Sequence, residues 1–191
     1  MTQLGNGLFD AQHYEDALSV YEAKLSMMRR LGAAEANFLT VQSNIACTYN
    51  QLGRLEDALR MRRDVYSGRL ELKGEEHEKT LLAANNYAIT LNRHLRFGEA
   101  RSLLRKTIPV ARRVLGENHD TKLRMRWIYA VALYKDDGAT LDDLHEAVTT
   151  LEGAEQTARR VLGGAHPTKG GIEAALQDAR AALRARETPS I

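Results

Sequence analysis

Three histidines, His77, His119 and His166, invite a metal-binding interpretation because each follows a glycine at a similar distance. Zinc needs its ligand nitrogens at about 2 Å. If these histidines mark equivalent turns of successive helical repeats, neighbouring turns are two helix layers apart, roughly 16–20 Å at about 8–10 Å per layer. One ion cannot bridge that distance. We therefore predict that the histidines structure turns and that the chain holds no metal and no other cofactor.

The other residues with catalytic chemistry lack the partners that a reaction needs. Cys47 as a nucleophile would need a nearby base and a third group that orients the base, but the residues expected beside it are Asn44 and Asn50. The pairs Gly163-Gly164 and Gly170-Gly171 lack the lysine and serine of a phosphate-binding loop. The sequence therefore predicts that the protein is not an enzyme and has no catalytic residue.

The charge pattern gives little support to a nucleic-acid function. The 191 residues carry 27 Lys and Arg against 25 Asp and Glu, a balance that does not indicate nucleic acid by itself. Arginine pairs recur, but most fall late in predicted helices, where cations favour the helix C-terminus, and no aromatic residues alternate with them for base stacking. These pairs are Arg29-Arg30, Arg62-Arg63, Arg112-Arg113 and Arg159-Arg160.

Composition also predicts the compartment. The single cysteine excludes an internal disulfide, and the N-terminus has no charged and apolar leader typical of secretion. No stretch approaches the roughly 18 apolar residues of a membrane span. We therefore expect a cytoplasmic protein without membrane association.

The strongest pattern in the chain is an internal repeat, which determines architecture before any local feature does. Similar turn segments surround four glycines at spacings of 42, 42 and 47 residues, namely Gly32, Gly74, Gly116 and Gly163. A second pattern recurs at spacings of 41, 42 and 47 residues, on Ala17, Ala58, Ala100 and Ala147. The longer third interval has its additional residues in the polar stretch 135–140, where an insertion is tolerated.

Each repeat is predicted to form two helices. Apolar residues recur at i, i+1 and i+4, which is a helical spacing. The matching sets are Ile45, Ala46 and Tyr49, then Tyr87, Ala88 and Leu91, then Tyr129, Ala130 and Leu133. Gly53 is predicted to end a first helix, because glycine suits the left-handed position after a helix. Thr140 is predicted to cap a helix, and Pro109 to kink one.

This spacing of small and large residues resembles the tetratricopeptide repeat. The matching places in the second repeat are Ile45, Ala46, Tyr49, Gly53 and Ala58. The 42-residue period, the L-G-x-x-H-x-T turns at 115–121 and 162–168 and the segment 85–88 are similar to one subset of that family. The subset includes kinesin light chains and the repeat tails of some fungal and algal NTPase-type sensors. The resemblance implies the fold and a protein-binding role, but no particular partner.

The repeat and the resemblance together predict an all-α fold, a right-handed superhelical solenoid of antiparallel helix hairpins with a C-terminal capping helix. Residues 1–191 are expected to form a single domain. Its repeats would lie at about 1–36, 37–78, 79–120 and 121–168, and the capping helix at 171–187. The tail 188–191 is expected to be frayed. Arg62 departs from the family pattern, because a large apolar residue is usual at its position.

The first helices of such repeats line a concave surface, so the stripe opposite the packing stripe predicts a peptide-binding groove. The candidates are Thr40, Ser43, Asn44, Asn50, Asn85, Asn86, Asn92, Arg93, Arg124, Trp127 and Lys135. Asparagine can bond the backbone of an extended peptide, Arg and Trp are favoured binding anchors, and the cations indicate an acidic ligand. The alternative is that the asparagines only solvate this surface and that Trp127 packs against its neighbour.

The sequence thus predicts a non-enzymatic scaffold or adaptor that binds a peptide or a partner protein in this groove. One alternative is an assembly module that self-associates by stacking through an open N-terminal repeat, where Leu4, Leu8 and Phe9 lack an earlier packing partner. Another alternative is a fragment of a larger kinesin-light-chain-like or NTPase-sensor protein.

Overall fold

The computed structural model describes residues 1–163 and 166–188. Within these residues every regular element is an α-helix, which confirms the predicted all-α fold. The helices are α1 (Thr2–Asp10), α2 (Tyr14–Arg30), α3 (Glu35–Gln51), α4 (Leu55–Lys73), α5 (Glu78–Arg93), α6 (Phe97–Leu115), α7 (Asp120–Tyr134), α8 (Leu141–Val161) and α9 (Pro167–Glu187). No helix in this part of the chain combines the length and apolar character needed to cross a bilayer. Gly164 and the tail at 189–191 lie outside the described residues.

The chain divides into two compact units, Met1–Gly74 and Glu75–Ile191. The N-terminal unit contains α1 to α4, and the C-terminal unit contains α5 to α9. The division falls in the turn that the glycine repeat predicts around Gly74. The organisation of residues 1–191 as a single domain stays a prediction.

In the N-terminal unit each helix packs against the next one along the chain. Its core contains Leu18, Tyr21, Leu25 and Ile45, all buried. The ring of Tyr21 lies against Gly5 of α1, where an added Cβ would stand 2.5 Å from Tyr21 Cε1. A glycine at this position therefore lets α1 approach α2 closely, as a short helix with few large apolar residues requires.

In the C-terminal unit α7 contacts α5, α6, α8 and α9, so it is the central helix. The predicted packing stripe is confirmed here, because Ala88, Leu91, Tyr129, Ala130 and Leu133 are all buried. The first helix of each repeat and α9 lie along one side, since α5 and α9 both contact α7 directly. The second helices, α6 and α8, pack between them on the other side.

The recurring histidines cap helices. His77, His119 and His166 precede α5, α7 and α9, and in each case Nδ1 accepts a hydrogen bond from the backbone N–H two residues later, at 3.1, 3.2 and 3.3 Å. Each ring satisfies one of the N–H groups that a helix start leaves without a partner. Their predicted turn-structuring role is confirmed. Thr140 is likewise a cap, in a reciprocal capping box with Asp143.

Two prolines of the C-terminal unit, Pro109 and Pro167, lie within helices. Pro109 is inside α6, which continues to Leu115. Because proline has no N–H group, one backbone carbonyl of the preceding turn lacks its helical donor, and at this exposed position water can take that place. The kink expected there stays a prediction. The capping helix α9 begins at Pro167, so the predicted start at 171 is wrong. Proline is favourable in the first helical turn, and the pair Gly170-Gly171 lies within the helix rather than before it.

Candidate functional site

A cleft of the C-terminal unit lies between α5, α7 and α9 and has a volume of about 490 Å³. Its apolar lining consists of Ile89, Leu95, Phe97, Trp127, Ile128, Val131, Ala174 and Ala175, together with Gly171. The polar residues that line it are Asn92, Arg93, Tyr134, Lys135 and Asp178. Clefts of this size with mostly apolar walls and a few polar groups are typical of binding sites.

The cleft follows from the residue spacing on α7 and the small residues of α9. Trp127, Val131 and Tyr134 recur at i, i+4 and i+7, so they share one face of α7. Opposite them, α9 presents Gly171, Ala174, Ala175 and Asp178 at i, i+3, i+4 and i+7. Because three of these four residues are small, the facing aromatic side chains are only partly covered and a cleft remains.

Trp127 is half-buried, and its predicted role in peptide binding stays a prediction. It lines the cleft, and it also packs directly on α9. A Cβ added at Gly171 would lie 2.5 and 2.8 Å from Trp127 Cζ2 and Cζ3. Glycine at this position therefore holds the indole against the backbone of α9 and fixes one wall of the cleft.

Asn92 connects two walls of the cleft. Its Nδ2 donates a hydrogen bond to the carbonyl of Ile128 at 3.0 Å, which ties α5 to α7. Its Oδ1 is buried and has no hydrogen-bond partner within the described part of the chain. One of the two N–H donors of this side chain is thus already used between helices, so Asn92 positions the walls of the cleft.

A hydrogen bond crosses one end of the cleft, where the Tyr134 hydroxyl donates to Asp178 Oδ2 at 3.5 Å. Burial of the phenol, with the nearby Asp178 charge as a smaller cause, raises the pKa of Tyr134 to about 12. The hydroxyl therefore stays protonated and able to donate at neutral pH.

Two cations stand at the cleft, Arg93 and Lys135, and both are exposed. Neither pairs with a carboxylate among residues 1–163 and 166–188. The one acid in the lining is Asp178. The charge balance of the lining is therefore positive, which favours an anionic or acidic ligand.

Three of the predicted groove residues of the C-terminal unit do not line this cleft. Asn85 is completely buried, so its predicted place on an accessible surface is wrong. It lies two turns before Asn92, on the edge of α5 that faces α7 and that packing covers. Asn86 is half-buried and accepts from Asn85 Nδ2 at 3.5 Å. Arg124 is occupied by Asp120 Oδ2 at 2.9 Å and by the Thr168 hydroxyl at 3.2 Å.

The predicted groove residues of the N-terminal unit lie on α3, and two of them bind arginines of α4. Thr40 Oγ1 accepts from Arg69 at 2.8 Å, and Ser43 Oγ accepts from Arg62 at 2.9 Å. Arg62 is buried, and its other terminal nitrogen lies 2.8 Å from Cys47 Sγ. These hydroxyls thus compensate guanidinium groups inside the unit, which explains how an arginine is accommodated at an apolar position of the repeat.

The other two N-terminal candidates are amides. Asn44 donates to Asn6 Oδ1 at 3.3 Å and lines a smaller cleft of about 230 Å³ with Phe9, Asp10 and Tyr21. Asn50 is half-buried, and its Oδ1 has no hydrogen-bond partner in the described chain. The groove role of Thr40, Ser43, Asn44, Asn50 and Asn86 stays a prediction.

Other candidate chemistry is accounted for by structural contacts. In the described residues no group of three or more His, Cys, Asp and Glu side chains could hold a metal ion. Several members of the arginine pairs form ion pairs with carboxylates: Arg112 with Glu117, Arg113 with Glu76 and Arg159 with Glu155. Leu4 of α1 is exposed, and self-association through that helix stays a prediction.

The sequence-based candidate set misses the contribution of α9 to the cleft. Its small residues and Asp178 recur with the spacing of one helix face, a signal that was present in the sequence. An interpretation of this segment as a cap alone considers only its few large apolar residues. The set also misses Leu95, because a residue in a turn has no place on a helical face.

The sequence and the structure can be compared with known proteins. A family model described as tetratricopeptide repeat matches residues 37–113. No curated protein sequence matches the chain. The structure is similar to the crystal structure of a Podosopora anserina variant whose description names kinesin light chain and nearly identical TPR-like repeats. The two share 19% identity and a TM-score of 0.80, over 97% of this chain and 86% of that one.

Two further structures are similar. BtubC (BKLC) from P. vanneervenii shares 19% identity over 96% of this chain and 76% of that chain, with a TM-score of 0.73. A second Podosopora anserina structure with kinesin light chain nearly identical TPR-like repeats shares 17% identity over 99% and 95%, with a TM-score of 0.72. At these identities the similarity shows the fold alone. With the family-model match over residues 37–113 and the helical-hairpin architecture, it supports a tetratricopeptide-repeat-like fold.

Proposed function

We propose that the C-terminal unit binds a short acidic peptide segment, with one large apolar side chain of the peptide seated in the cleft between α5, α7 and α9. Tetratricopeptide repeats are in general protein–protein interaction scaffolds. The single observation that carries the finer proposal is the combination of apolar walls and unpaired cations in one cleft of the described chain.

The apolar walls of the cleft suit one apolar side chain of the peptide, which we call the anchor. Val131 is half-buried and lies between Trp127 and Tyr134 on the face of α7 that lines the cleft. Burying a leucine-sized side chain there contributes about 1.5–3 kcal/mol. Since association itself opposes binding by several kcal/mol, the anchor alone predicts weak affinity, and the charges and backbone contacts of the peptide must add to it.

The two cations at the cleft suit acidic residues of the peptide next to its anchor side chain. Arg93 projects from the end of α5, and Lys135 follows α7 directly. An exposed charge pair contributes only about 0–1 kcal/mol, so these residues influence the choice of ligand and the association rate more than the affinity. The binding should therefore weaken with salt while the apolar contact remains.

The chain contains one tryptophan, and it lines the cleft, so Trp127 emission reports occupancy directly. We expect a short acidic peptide with a central leucine to change this emission saturably. A peptide with a central serine should bind much more weakly, because the anchor contact is lost. A basic peptide with the same central leucine should also bind more weakly.

Variants of the chain test the same site. Val131→Glu should abolish binding because it places a charge on the apolar wall, and Lys135→Glu should weaken it severalfold. Lys106→Glu is the matched control, since Lys106 is an exposed lysine of α6 that does not line the cleft. The proposal is wrong if the acidic leucine peptide leaves Trp127 emission unchanged at all concentrations, or if Val131→Glu binds it as well as the native chain does.

A further inference from the structure

Leu95 is an apolar residue held in a backbone conformation that leucine rarely adopts. Its φ is +57°, in the left-handed region, and its side chain is 75% exposed at the cleft. That conformation brings Cβ close to the following carbonyl oxygen, which is unfavourable for any residue except glycine. Because the side chain is exposed, burial does little to offset the strain in the unbound protein.

The turn between α5 and α6 imposes this conformation. The N–H of Arg96 donates to the carbonyl of Leu91 at 2.9 Å, and the N–H of Leu95 donates to the carbonyl of Asn92 at 3.0 Å. These are the two bonds of a Schellman motif. At the end of α3, Gly53 holds the corresponding position with φ of +71°, and the N–H of Arg54 donates to the carbonyl of Tyr49 at 2.9 Å. Stability alone would therefore favour glycine at position 95.

Left-handed strain by itself does not indicate a ligand, as the turn between α1 and α2 illustrates. Gln12 occupies the same motif there with φ of +64°, but its side chain is polar. Leu95 differs because an apolar, exposed side chain is placed at the opening of an apolar cleft. Persistent strain at such a position is consistent with a functional contact.

We propose that Leu95 is a ligand-contact residue that covers the apolar anchor of the bound peptide. This inference rests on the proposed function of the cleft. Leu95 lines the cleft with Phe97 and Lys135, so an anchor seated against Val131 would place its outer surface under the Leu95 side chain. Both apolar groups would then leave water together, and a strained, exposed residue of the free protein would become a buried contact of the complex.

Three variants separate strain from contact. Leu95→Gly removes both the strain and the side chain, whereas Leu95→Ala keeps the strain and removes most of the side chain. Gln12→Gly relieves equivalent strain in the N-terminal unit, far along the chain from the cleft residues. The probe is the acidic peptide with a central leucine, titrated against Trp127 emission, and stability is measured by urea unfolding followed by circular dichroism.

Leu95→Gly and Gln12→Gly should each raise the ratio of folded to unfolded protein by about two- to fivefold, after the greater unfolded-state entropy of glycine is subtracted. Leu95→Ala should leave that ratio close to the native value. Both substitutions of Leu95 should weaken the peptide by about five- to tenfold, and Gln12→Gly should not change its affinity.

The outcomes that overturn the inference are distinct from those that overturn the proposed function. If the native chain binds the peptide and both Leu95 variants bind it equally well, Leu95 is not a contact although the cleft is a site. If Gln12→Gly is more stable than the native chain but Leu95→Gly is not, the premise that the backbone at Leu95 is strained is wrong. If the native chain binds no acidic peptide, the proposed function of the cleft is itself wrong.

Discussion

Two adjacent glycines of α9 should respond oppositely to the same substitution. A Cβ at Gly171 would lie 2.5 and 2.8 Å from Trp127 Cζ2 and Cζ3, whereas a Cβ at Gly170 meets nothing within 4 Å. Both glycines lie in the helix interior with no left-handed φ. Alanine should therefore improve helix propensity equally at both positions, by roughly 1 kcal/mol.

The difference between the two variants comes from the indole. Trp127 is half-buried against α9, so Gly171→Ala forces the ring or the helix to move, at about 1–3 kcal/mol for overpacking. We expect Gly170→Ala to increase the free energy of unfolding by roughly 0.5–1 kcal/mol. Gly171→Ala should leave that free energy unchanged or lower it by about 2 kcal/mol, after the propensity gain is included.

The assay is urea unfolding of both variants and the native chain, followed by Trp127 emission, which reports on the C-terminal unit. Displacement of the indole should also shift the native emission spectrum of Gly171→Ala and weaken the binding of the acidic peptide, with neither effect in Gly170→Ala. Equal stabilisation by both alanines would refute the close approach of α9 to Trp127 and, with it, the wall of the cleft.

Three further outcomes are expected. Burial is the chief cause that raises the pKa of Tyr134 to about 12. The neutral phenol therefore stabilises the folded state fully below the pKa of an unfolded tyrosine, near 10, and this stabilisation is lost as pH rises towards 12. Tyr134→Phe should make the free energy of unfolding less sensitive to pH in that window. Thr140→Ala should lower the free energy of unfolding, measured with urea, by about 0.5–2 kcal/mol, because it removes the capping box of α8. The control is Thr149→Ala, on the exposed face of α8. Amide exchange in the C-terminal unit should be slowest in α7, which contacts four other helices, and faster in 180–188, where most side chains are exposed; the reverse order would contradict the central position of α7.

The fold could be predicted because repetition and helical periodicity are local properties of the sequence. The stripe of Ile45, Ala46 and Tyr49 and its counterparts specify which face of each first helix packs. The glycine repeat specifies the turns, and Gly32, Gly74 and Gly116 do adopt positive φ. Helix ends were less predictable, as α9 shows, because Gly170-Gly171 favours a break on propensity while packing against Trp127 keeps those residues helical.

The site could be predicted only in part, because periodicity identifies a helix face but not the helices that flank it. Arg93, Trp127 and Lys135 line the cleft as predicted residues of the inner face. Asn85 lies on the edge of that face and is covered by packing, which the spacing alone could not distinguish. The arginines of α4 that bind Thr40 and Ser43 come from another helix, and such hydrogen bonds depend on three-dimensional contacts that no spacing specifies.

The most direct test of binding in the C-terminal cleft is an NMR titration of the isotope-labelled chain with the acidic peptide that carries a central leucine. The account predicts that amide shifts change mainly around residues 127–135 of α7 and its end, 171–178 of α9 and the turn at Leu95. Residues 40–50 of α3 should shift little. Shifts confined to α3, or changes spread evenly over the chain, would contradict the assignment of the ligand to the cleft between α5, α7 and α9.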